Sequence, residues 1–435
     1  MSRRSLLVAG LAGTSVGLAA TAQARPAPDI VSGSQRSGPR GAPGRVALPS
    51  LKPIWSESVR KSFGVCAHPN FGDSQYQFTD AWVAALAETG ASYFRGQYSH
   101  NLTATDVAIA SSRRRGLRWG MTVVPENWAV TGPALVQRIR HIADNAADVC
   151  LYVEGINEPN HERGGGRAPS DWISRTMAVQ RTIWDAVKGD PRLRHVQVLG
   201  PSLHAVLATE ADYRQIGQAG LANYMDYAAI HRYPNGRYPN HLLDEKLGWV
   251  ARHWGGKPTW ITETGYTNAM GTNLGHRPVP EDVAAVYAPS AILEAADRGC
   301  MITWYELLDD VDGAAKANIE SNFGMFAARG RIGPPWRPKP VVASVRSFLD
   351  SLRDPGPTFD PPQIGLRITT DAEDVRSTII AKRDGSATVY LRRATEGWDR
   401  IAKRPIRVDE VPVVVHSART QRTVWVDHEV QAVAI

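Results

Sequence analysis

The chain has 435 residues, of which 43% are hydrophobic and 21% charged, a composition typical of a folded globular protein. Its length favours one large domain with a smaller one attached. The net charge of +7 is small for this length, and the basic residues are scattered along the chain, so the sequence lacks the basic patch of a nucleic-acid-binding protein. After the first residues no apolar run reaches the roughly 18 residues of a membrane span, and we predict none.

Residues 1–24 have the pattern of an export signal. Arg3-Arg4 is followed by a Gly/Ala-rich run and then by Ala22-Gln23-Ala24, which suits a small-residue cleavage site. The paired arginines, with Leu6 two positions on, resemble a twin-arginine signal, although an ordinary secretory signal is an alternative. We predict export to the periplasm or the cell exterior. Residues 25–60 are rich in Pro, Gly, Ser and Arg and are predicted to be a linker.

From residue 61 to residue 352, short apolar runs alternate with longer helical segments, which is the signature of βα units. The predicted strands are Phe63–Ala67, Ala91–Phe94, Leu117–Val124, Val149–Val153, Val196–Leu199, Tyr227–Ile230, Thr259–Thr262 and Met301–Trp304. Eight such units in about 290 residues predict an α/β fold, a (β/α)8 TIM barrel. Three cysteines, Cys66, Cys150 and Cys300, lie in these apolar runs and are predicted to be buried thiols.

The pattern changes after Pro355-Gly356-Pro357. Five segments between residues 364 and 427 alternate apolar and polar residues, and Asp384-Gly385 is a hairpin signal between two of them. We therefore predict a small all-β, sandwich-like accessory domain over residues 353–435. Sugar binding and structural support are both open as its role.

Polar side chains stand at the C-terminal ends of the predicted strands, the end at which TIM barrels place their active sites. The residues at these positions are His68, Arg95, Glu126, Asn127, Trp128, Asn157, Glu158, Ser202, His204, His231, Tyr233, Glu263, Trp304, Tyr305 and Glu306.

Two of these residues, Glu158 and Glu263, are carboxylates on predicted strands four and seven, nearly opposite each other across the barrel mouth. Asn157-Glu158-Pro159 would also suit a turn after any strand, so the triplet alone does not decide its role. A facing carboxylate pair is what glycoside hydrolysis requires, with one group to protonate the leaving oxygen and one to attack or to activate water.

Competing chemistries lack their sequence patterns. The histidines are dispersed, with no His-x-His or His-Glu-x-x-His spacing, and no Gly-rich phosphate loop opens a helix. Beyond the N-terminal signal there is no Gly-x-Ser-x-Gly elbow of a serine hydrolase. The carboxylate pair is therefore the favoured chemistry, and we predict neither a metal nor an organic cofactor.

The barrel resembles the clan A glycoside hydrolases, retaining (β/α)8 enzymes that include families 5 and 39. The resemblance rests on an ordered series of motifs: Arg95, Asn157-Glu158-Pro159, His231-Arg232-Tyr233, Thr262-Glu263-Thr264-Gly265 and Trp304. The segment Val124–Trp128 lacks the histidine that family 5 enzymes usually carry after strand three, so the resemblance is to the clan rather than to one family.

The resemblance implies that Glu158 is the acid/base and Glu263 the nucleophile. Arg95 and the Tyr233 hydroxyl are expected to keep Glu263 ionised, because a cation and hydrogen bonds favour the charged form. Asn157 would bind the sugar 2-hydroxyl, and Trp304 would form the aromatic floor beneath the reacting sugar.

Further residues are assigned on position. His231, His68 and Trp128 are predicted to bind substrate, and sugar-stacking candidates are Trp128, Trp254, Tyr238 and Tyr305. Structural alternatives stay open for Arg95 as a barrel ion pair, for His231 and His68 as strand-end histidines, and for Trp304 as a core residue. Glu154 and Glu306 are rival carboxylates.

The sequence thus predicts an exported, retaining glycosidase that acts on β-linked oligo- or polysaccharides. A barrel that binds polysaccharide without cleaving it is the alternative from another class. A transglycosylase, in which an acceptor sugar replaces water, is the alternative among enzymes.

Overall fold

The computed structural model describes residues 46–48, 52–100, 102–124, 130–162, 166–272, 275–310, 318–328, 330, 332–417 and 421–435. The predicted export signal and Trp128 lie outside these residues. Within them, no helix combines the length and the apolar character that crossing a bilayer requires.

Eight parallel strands form the central sheet, as predicted. They are β1 (Phe63–Cys66), β2 (Tyr93–Gln97), β3 (Arg118–Thr122), β4 (Cys150–Glu154), β5 (Gln197–Leu199), β6 (Ala228–His231), β7 (Thr259–Thr264) and β8 (Met301–Trp304). β8 pairs with β1, and single parallel bridges, Leu199 to Tyr227 and Leu203 to Ile230, join the β5 and β6 sides. The sheet thereby closes into a barrel.

A helix follows each strand and covers the outside of the barrel. These helices are α2 (Thr79–Glu88), α3 (Thr103–Arg115), α4 (Gly132–Asn145), α5 (Trp172–Gly189), α6 (Glu210–Gln218), α7 (Leu243–His253), α8 (Glu281–Ala296) and α9 (Pro340–Ser351), and α1 (Ser56–Lys61) precedes β1. Local signals set their ends: Thr209 and Asp212 form a capping box at the start of α6, and Gly116, with φ of 65°, ends α3 in the left-handed region.

Aromatic side chains fill the lower part of the barrel. The rings of Tyr93, Tyr152 and Trp260 meet at centroid distances of 4.6 to 6.4 Å, and Trp260 Nε1 donates to the Tyr93 hydroxyl at 2.8 Å. Gly64 and Gly120 make room for them, because a Cβ at either position would lie within 2.3 Å of a tyrosine ring atom. This layer is a packed core that closes the barrel below the site.

The strand period of two places charged groups directly above this layer. Arg95 follows Tyr93, and Glu154 follows Tyr152, so both point into the barrel. Glu263 points into the barrel only if this alternation is interrupted, because strict alternation from Trp260 would point its side chain towards the helices. The pairing of β7 is irregular with both neighbours between residue 261 and residues 263–264, and a β-bulge of this kind re-aims a side chain.

The C-terminal part is an all-β sandwich, also as predicted. The strands of its two main sheets are β9 (Arg367–Thr370), β10 (Val375–Ala381), β11 (Ala387–Arg393), β12 (Val411–His416), β13 (Gln421–Val426) and β14 (Gln431–Ala434). One sheet contains β9, β12 and β13, and the other contains β10, β11 and β14. Apolar residues of both sheets share one core, for example Val413 with Val389.

The end of the predicted linker is structured, which differs from the sequence prediction. Val46–Ala47 pairs antiparallel with β9, and Ile54–Trp55 pairs parallel with β10. Each segment has two residues in strand conformation, too few for the alternation that reveals a strand in sequence. The two sheets of the C-terminal domain are therefore each completed from the N-terminal side of the barrel.

Buried charges join the two domains. Arg392 on β11 is fully buried, and its Nη2 lies 2.9 Å from Glu294 Oε1 of α8 and 2.8 Å from Asp297 Oδ2. A second contact comes from Lys403, whose Nζ donates to the carbonyls of Met270 and Thr272 at 2.7 and 2.6 Å. The accessory domain therefore contacts both the outer helices and the loop after β7.

Candidate active site

Arg95 lies at the centre of the barrel mouth and is 6% exposed. Its Nε lies 2.5 Å from Glu154 Oε2, its Nη1 2.7 Å from Glu263 Oε1, and its Nη2 2.7 Å from Asn157 Oδ1. Burial opposes the charge of Arg95, but the two carboxylates outweigh burial and raise its pKa well above the ordinary value. One guanidinium thus joins the ends of β2, β4 and β7.

Glu263 has a second fixed partner, the hydroxyl of Tyr233. That hydroxyl donates to Glu263 Oε2 at 2.8 Å. Burial, and next the charge of Glu263, raise the pKa of Tyr233 well above its usual range, so the hydroxyl keeps its proton. Both oxygens of Glu263 therefore accept hydrogen bonds from groups that do not give up their protons.

Glu158 follows β4 in a turn, with its backbone in the left-handed region at φ of 47°. The Glu158 N–H donates to the Ser202 carbonyl at 2.8 Å, which fixes the turn against the segment after β5. Its side chain is 21% exposed. Asn157-Glu158-Pro159 is thus both a turn and part of the candidate site. The two interpretations are compatible, because strained backbone is common at functional sites.

His231 lies between the two carboxylates and is fully buried. Its Nδ1 is 2.8 Å from Glu158 Oε1, and its Nε2 is 3.4 Å from Glu263 Oε1. One carboxylate oxygen of Glu158, one ring nitrogen of His231 and one carboxylate oxygen of Glu263 all lie within 4.8 Å of one another. The two carboxyl groups therefore face each other across a short gap.

Among the residues that the structure describes, two groups of side chains have donor atoms that could bind a metal. The first is Glu158, His231 and Glu263, and the second is Glu158, His161 and His204, each with donor atoms within 4.8 Å. In the first group the Arg95 guanidinium already lies against Glu263 and supplies the positive charge. That arrangement suits an organic substrate better than a metal ion.

Aromatic rings line one side of the carboxylates. The ring of Tyr305, which is partly exposed, lies 6.1 Å from Tyr233 and 5.7 Å from His68. His276 packs on Tyr233 at 4.7 Å. His68 Nε2 lies 2.8 Å from Glu306 Oε2, so His68 and Glu306 form a pair at the edge of this aromatic side.

The structure places most of the predicted site residues together: Arg95, Asn157, Glu158, His231, Tyr233 and Glu263. Of the rival carboxylates, Glu154 is fully buried and paired with Arg95, and Glu306 is paired with His68 and has a side chain only 4% exposed. Neither rival faces Glu158 as Glu263 does.

Three predicted sugar-stacking residues lie in the core instead. Trp304 is 2% exposed and packs on Tyr266, Trp254 is fully buried on Tyr213, and Tyr238 is 3% exposed. The alternation of side chains along β8 explains why Trp304 is buried.

Thr303 points into the barrel, where its Oγ1 lies 3.0 Å from the Tyr93 hydroxyl, so Trp304 points to the helices and Tyr305 points back to the site. Tyr305 replaces Trp304 as the aromatic residue beside the carboxylates.

The sequence did not single out two histidines that lie in the site, His161 and His276, and left His204 without a role. His161 follows Glu158 by three residues in the same turn, so the sequence spacing could have predicted that His161 lies near Glu158. His276 lies in a long loop, and no local pattern places a loop residue against a strand-end tyrosine.

No protein-family model matches the chain, and no curated protein matches it. Several solved structures match the chain. An active-site mutant of a Rhizomucor miehei β-1,3-glucanosyltransferase in complex with laminaritriose matches at 14% identity and a TM-score of 0.45, over 62% of this chain and 95% of that chain.

A glucosidase from Croceicoccus marinus matches at 12% identity and a TM-score of 0.49, over 71% of this chain and 70% of that chain. A β-glucosidase from Exiguobacterium marinum matches at 11% identity and a TM-score of 0.46, over 68% and 99%. Similarity at this level says nothing about substrate or mechanism, so the functional conclusion depends on the site itself.

Proposed function

We propose that this protein is a retaining glycoside hydrolase acting on β-linked glycans, with Glu263 as nucleophile and Glu158 as acid/base. The observation that carries the proposal is the short gap between Glu158 and Glu263, together with their different partners. Arg95 and Tyr233 donate to the two oxygens of Glu263, whereas Glu158 is held by His231 and is more exposed. The β-linkage follows from the clan resemblance.

In the first step a Glu263 oxygen forms a bond to the anomeric carbon while the glycosidic bond breaks. The bonding pair leaves with the glycosidic oxygen, which takes the proton of Glu158. The product is a glycosyl ester of Glu263 and a free alcohol. Asn157, held by Arg95 at 2.7 Å, supplies an amide beside the reacting sugar.

In the second step water replaces the departed alcohol. Glu158, now a carboxylate, takes one proton from the water, whose oxygen bonds to the anomeric carbon as the ester bond to Glu263 breaks. Glu263 regains its charge and Glu158 its proton. Retention requires carboxyl groups roughly 5–5.5 Å apart, and inversion about 6.5–9.5 Å. A carboxylate oxygen of Glu158 and one of Glu263 lie within 4.8 Å of each other, which supports the proposed retention.

The test compares Glu158→Gln and Glu263→Gln with the wild type on glucans, mannans, xylans and arabinans. Each variant is expected to lose at least a factor of roughly 1,000 in kcat. Glu245→Gln is the matched control, because Glu245 is exposed on α7. Unchanged rates in both variants would reject the proposal.

Labelling identifies the nucleophile directly. A 2-deoxy-2-fluoro glycoside of the preferred sugar should add its glycosyl mass to the peptide that contains Glu263, and Glu263→Gln should stay unlabelled. Sizing the products by mass spectrometry separates hydrolysis from transfer to an acceptor sugar. A protein that binds a glycan without forming any product would be the non-catalytic barrel.

A further inference from the structure

Glu158 borders a second group of side chains on its exposed side. One ring nitrogen of His161, one of His204 and a carboxylate oxygen of Glu158 lie within 4.8 Å of one another. The two imidazole rings are 4.6 Å apart, tilted by 37°, and both are partly exposed, in contrast to the buried His231. The pair therefore lines the side of Glu158 that solvent reaches.

Local structure fixes the orientation of His204. Its ring Nδ1 accepts hydrogen bonds from the backbone N–H groups of Val206 and Leu207, both at 3.1 Å. The backbone N–H of His204 donates to Asn160 Oδ1 at 2.9 Å. Since Nδ1 is an acceptor, the proton of the neutral ring is on Nε2.

The surroundings of His204 favour its neutral ring. Burial has the largest effect and lowers the pKa of His204, the charge of Glu158 opposes it, and the neighbouring histidines lower the pKa further. A neutral ring with its proton on Nε2 is a hydrogen-bond donor. It is a poor metal ligand, because Nε2 would have to lose its proton to Nδ1, which already faces two N–H groups.

We propose that His161 and His204 form the binding site for the leaving-group sugar, the unit on the far side of the scissile bond. This rests on the proposed function, in which Glu158 protonates the oxygen that this unit carries away, so that unit must lie beside Glu158. His204 Nε2–H donates to a hydroxyl of the sugar, and the two rings supply flat apolar surface to its C–H face. The ligand class is an uncharged sugar, because one neutral donor would not balance an anion and the Glu263 carboxylate would repel one.

The decisive variant is His204→Asn. The Asn Oδ1 occupies the place of Nδ1 and can still accept from Val206 and Leu207, whereas the Nε2 donor is lost. His161→Ala removes the partner ring, and His195→Asn is the control, because His195 is exposed before β5, at the opposite end of the barrel.

Two substrates with the same reacting sugar separate the roles. For a β-linked trisaccharide, His204→Asn should lower kcat/KM by about five- to tenfold, as expected for one hydrogen bond. For the corresponding glycosyl fluoride, whose leaving group is a single atom, kcat/KM should change by less than about twofold. An equal loss on both substrates, or a loss on neither, overturns the proposal.

Two further readouts do not require turnover. Titration calorimetry of the trisaccharide into Glu263→Gln should show weaker binding when His204→Asn is added, and unchanged binding overturns the proposal even if the protein proves to be no hydrolase. Nitrogen-15 NMR should show the His204 proton on Nε2. Micromolar Zn²⁺ binding that is lost in both His161→Ala and His204→Asn would instead assign a metal site and also overturn the proposal.

Discussion

Arg95 Nη1 and Glu263 Oε1 lie 2.7 Å apart, with side chains only 6% and 12% exposed. The charge of Glu263 is therefore balanced by a fixed cation before any substrate arrives. Because the same guanidinium also holds Glu154 and Asn157, the site and the barrel interior share one set of contacts.

Removing Arg95 should destabilise the fold as well as the site. Arg95→Met leaves Glu154 and Glu263 as uncompensated buried charges, which should lower the free energy of unfolding by about 3–5 kcal/mol in urea titrations. Adding Glu154→Gln should recover part of this loss. Arg113→Met, which removes a half-exposed pair with Asp148, should cost less than about 1 kcal/mol. Equal costs for the two arginines would contradict the central role of Arg95.

Trp304 and Tyr305 should separate stability from substrate binding. Trp304→Phe opens a cavity between β8 and the helices, and should lower the free energy of unfolding by about 1–3 kcal/mol while KM changes less than about twofold. Tyr305→Ala removes the ring beside Tyr233, and should raise KM about tenfold with a smaller loss of stability. Urea unfolding and initial rates measure both effects. The reverse pattern would restore Trp304 as the sugar platform.

His276 should make the protein less stable in acid. Burial lowers the pKa of His276 to about 4, whereas the unfolded chain takes up a proton near pH 6.5. Between these values the unfolded state binds more protons, so stability is present above pH 6.5 and is lost as pH falls towards 4. His276→Phe keeps a ring against Tyr233 and removes the titration.

Between pH 7 and pH 4.5, the wild type should therefore lose about 1–3 kcal/mol more than His276→Phe in urea unfolding. Parallel pH profiles for the two proteins would show that His276 is protonated in the folded state.

Lys403 should connect the accessory domain to catalysis. Its Nζ holds the carbonyls of Met270 and Thr272, in the loop that also carries His276 against Tyr233. Lys403→Met should lower kcat about tenfold, because Tyr233 and Glu263 lose a support, and Lys403→Arg should keep part of the activity. Lys52→Met removes an exposed pair with Asp360 and is the control. Unchanged kinetics with a lower melting temperature would leave the domain a structural support only.

The sequence predicted the barrel well, because hydrophobic runs and polar strand ends are local patterns. It placed Arg95, Asn157, Glu158, His231, Tyr233 and Glu263 at strand ends that meet in one mouth. These predictions needed only chain order and the rule that parallel strands end on the same side.

Features that depend on contacts between separate elements could not be predicted from these local patterns. The irregular pairing that turns Glu263 inward depends on β6 and β8, and the burial of Trp254 depends on Tyr213, a contact between separate elements. The burial of Trp304 could have been predicted, because alternation from Thr303 assigns the inward position to Tyr305. His276 depends on a loop conformation that no periodicity encodes.

The short strands Val46–Ala47 and Ile54–Trp55 have a consequence for the order of folding. Their partners, Thr369–Thr370 and Ile380–Ala381, are more than 300 residues further along the chain. On the ribosome these early segments must wait for almost the whole polypeptide before they can pair, so the last sheets can close only after synthesis is nearly complete. A nascent chain arrested after the barrel would therefore expose these two unpaired segments at its N-terminal end, where chaperones bind exposed strands.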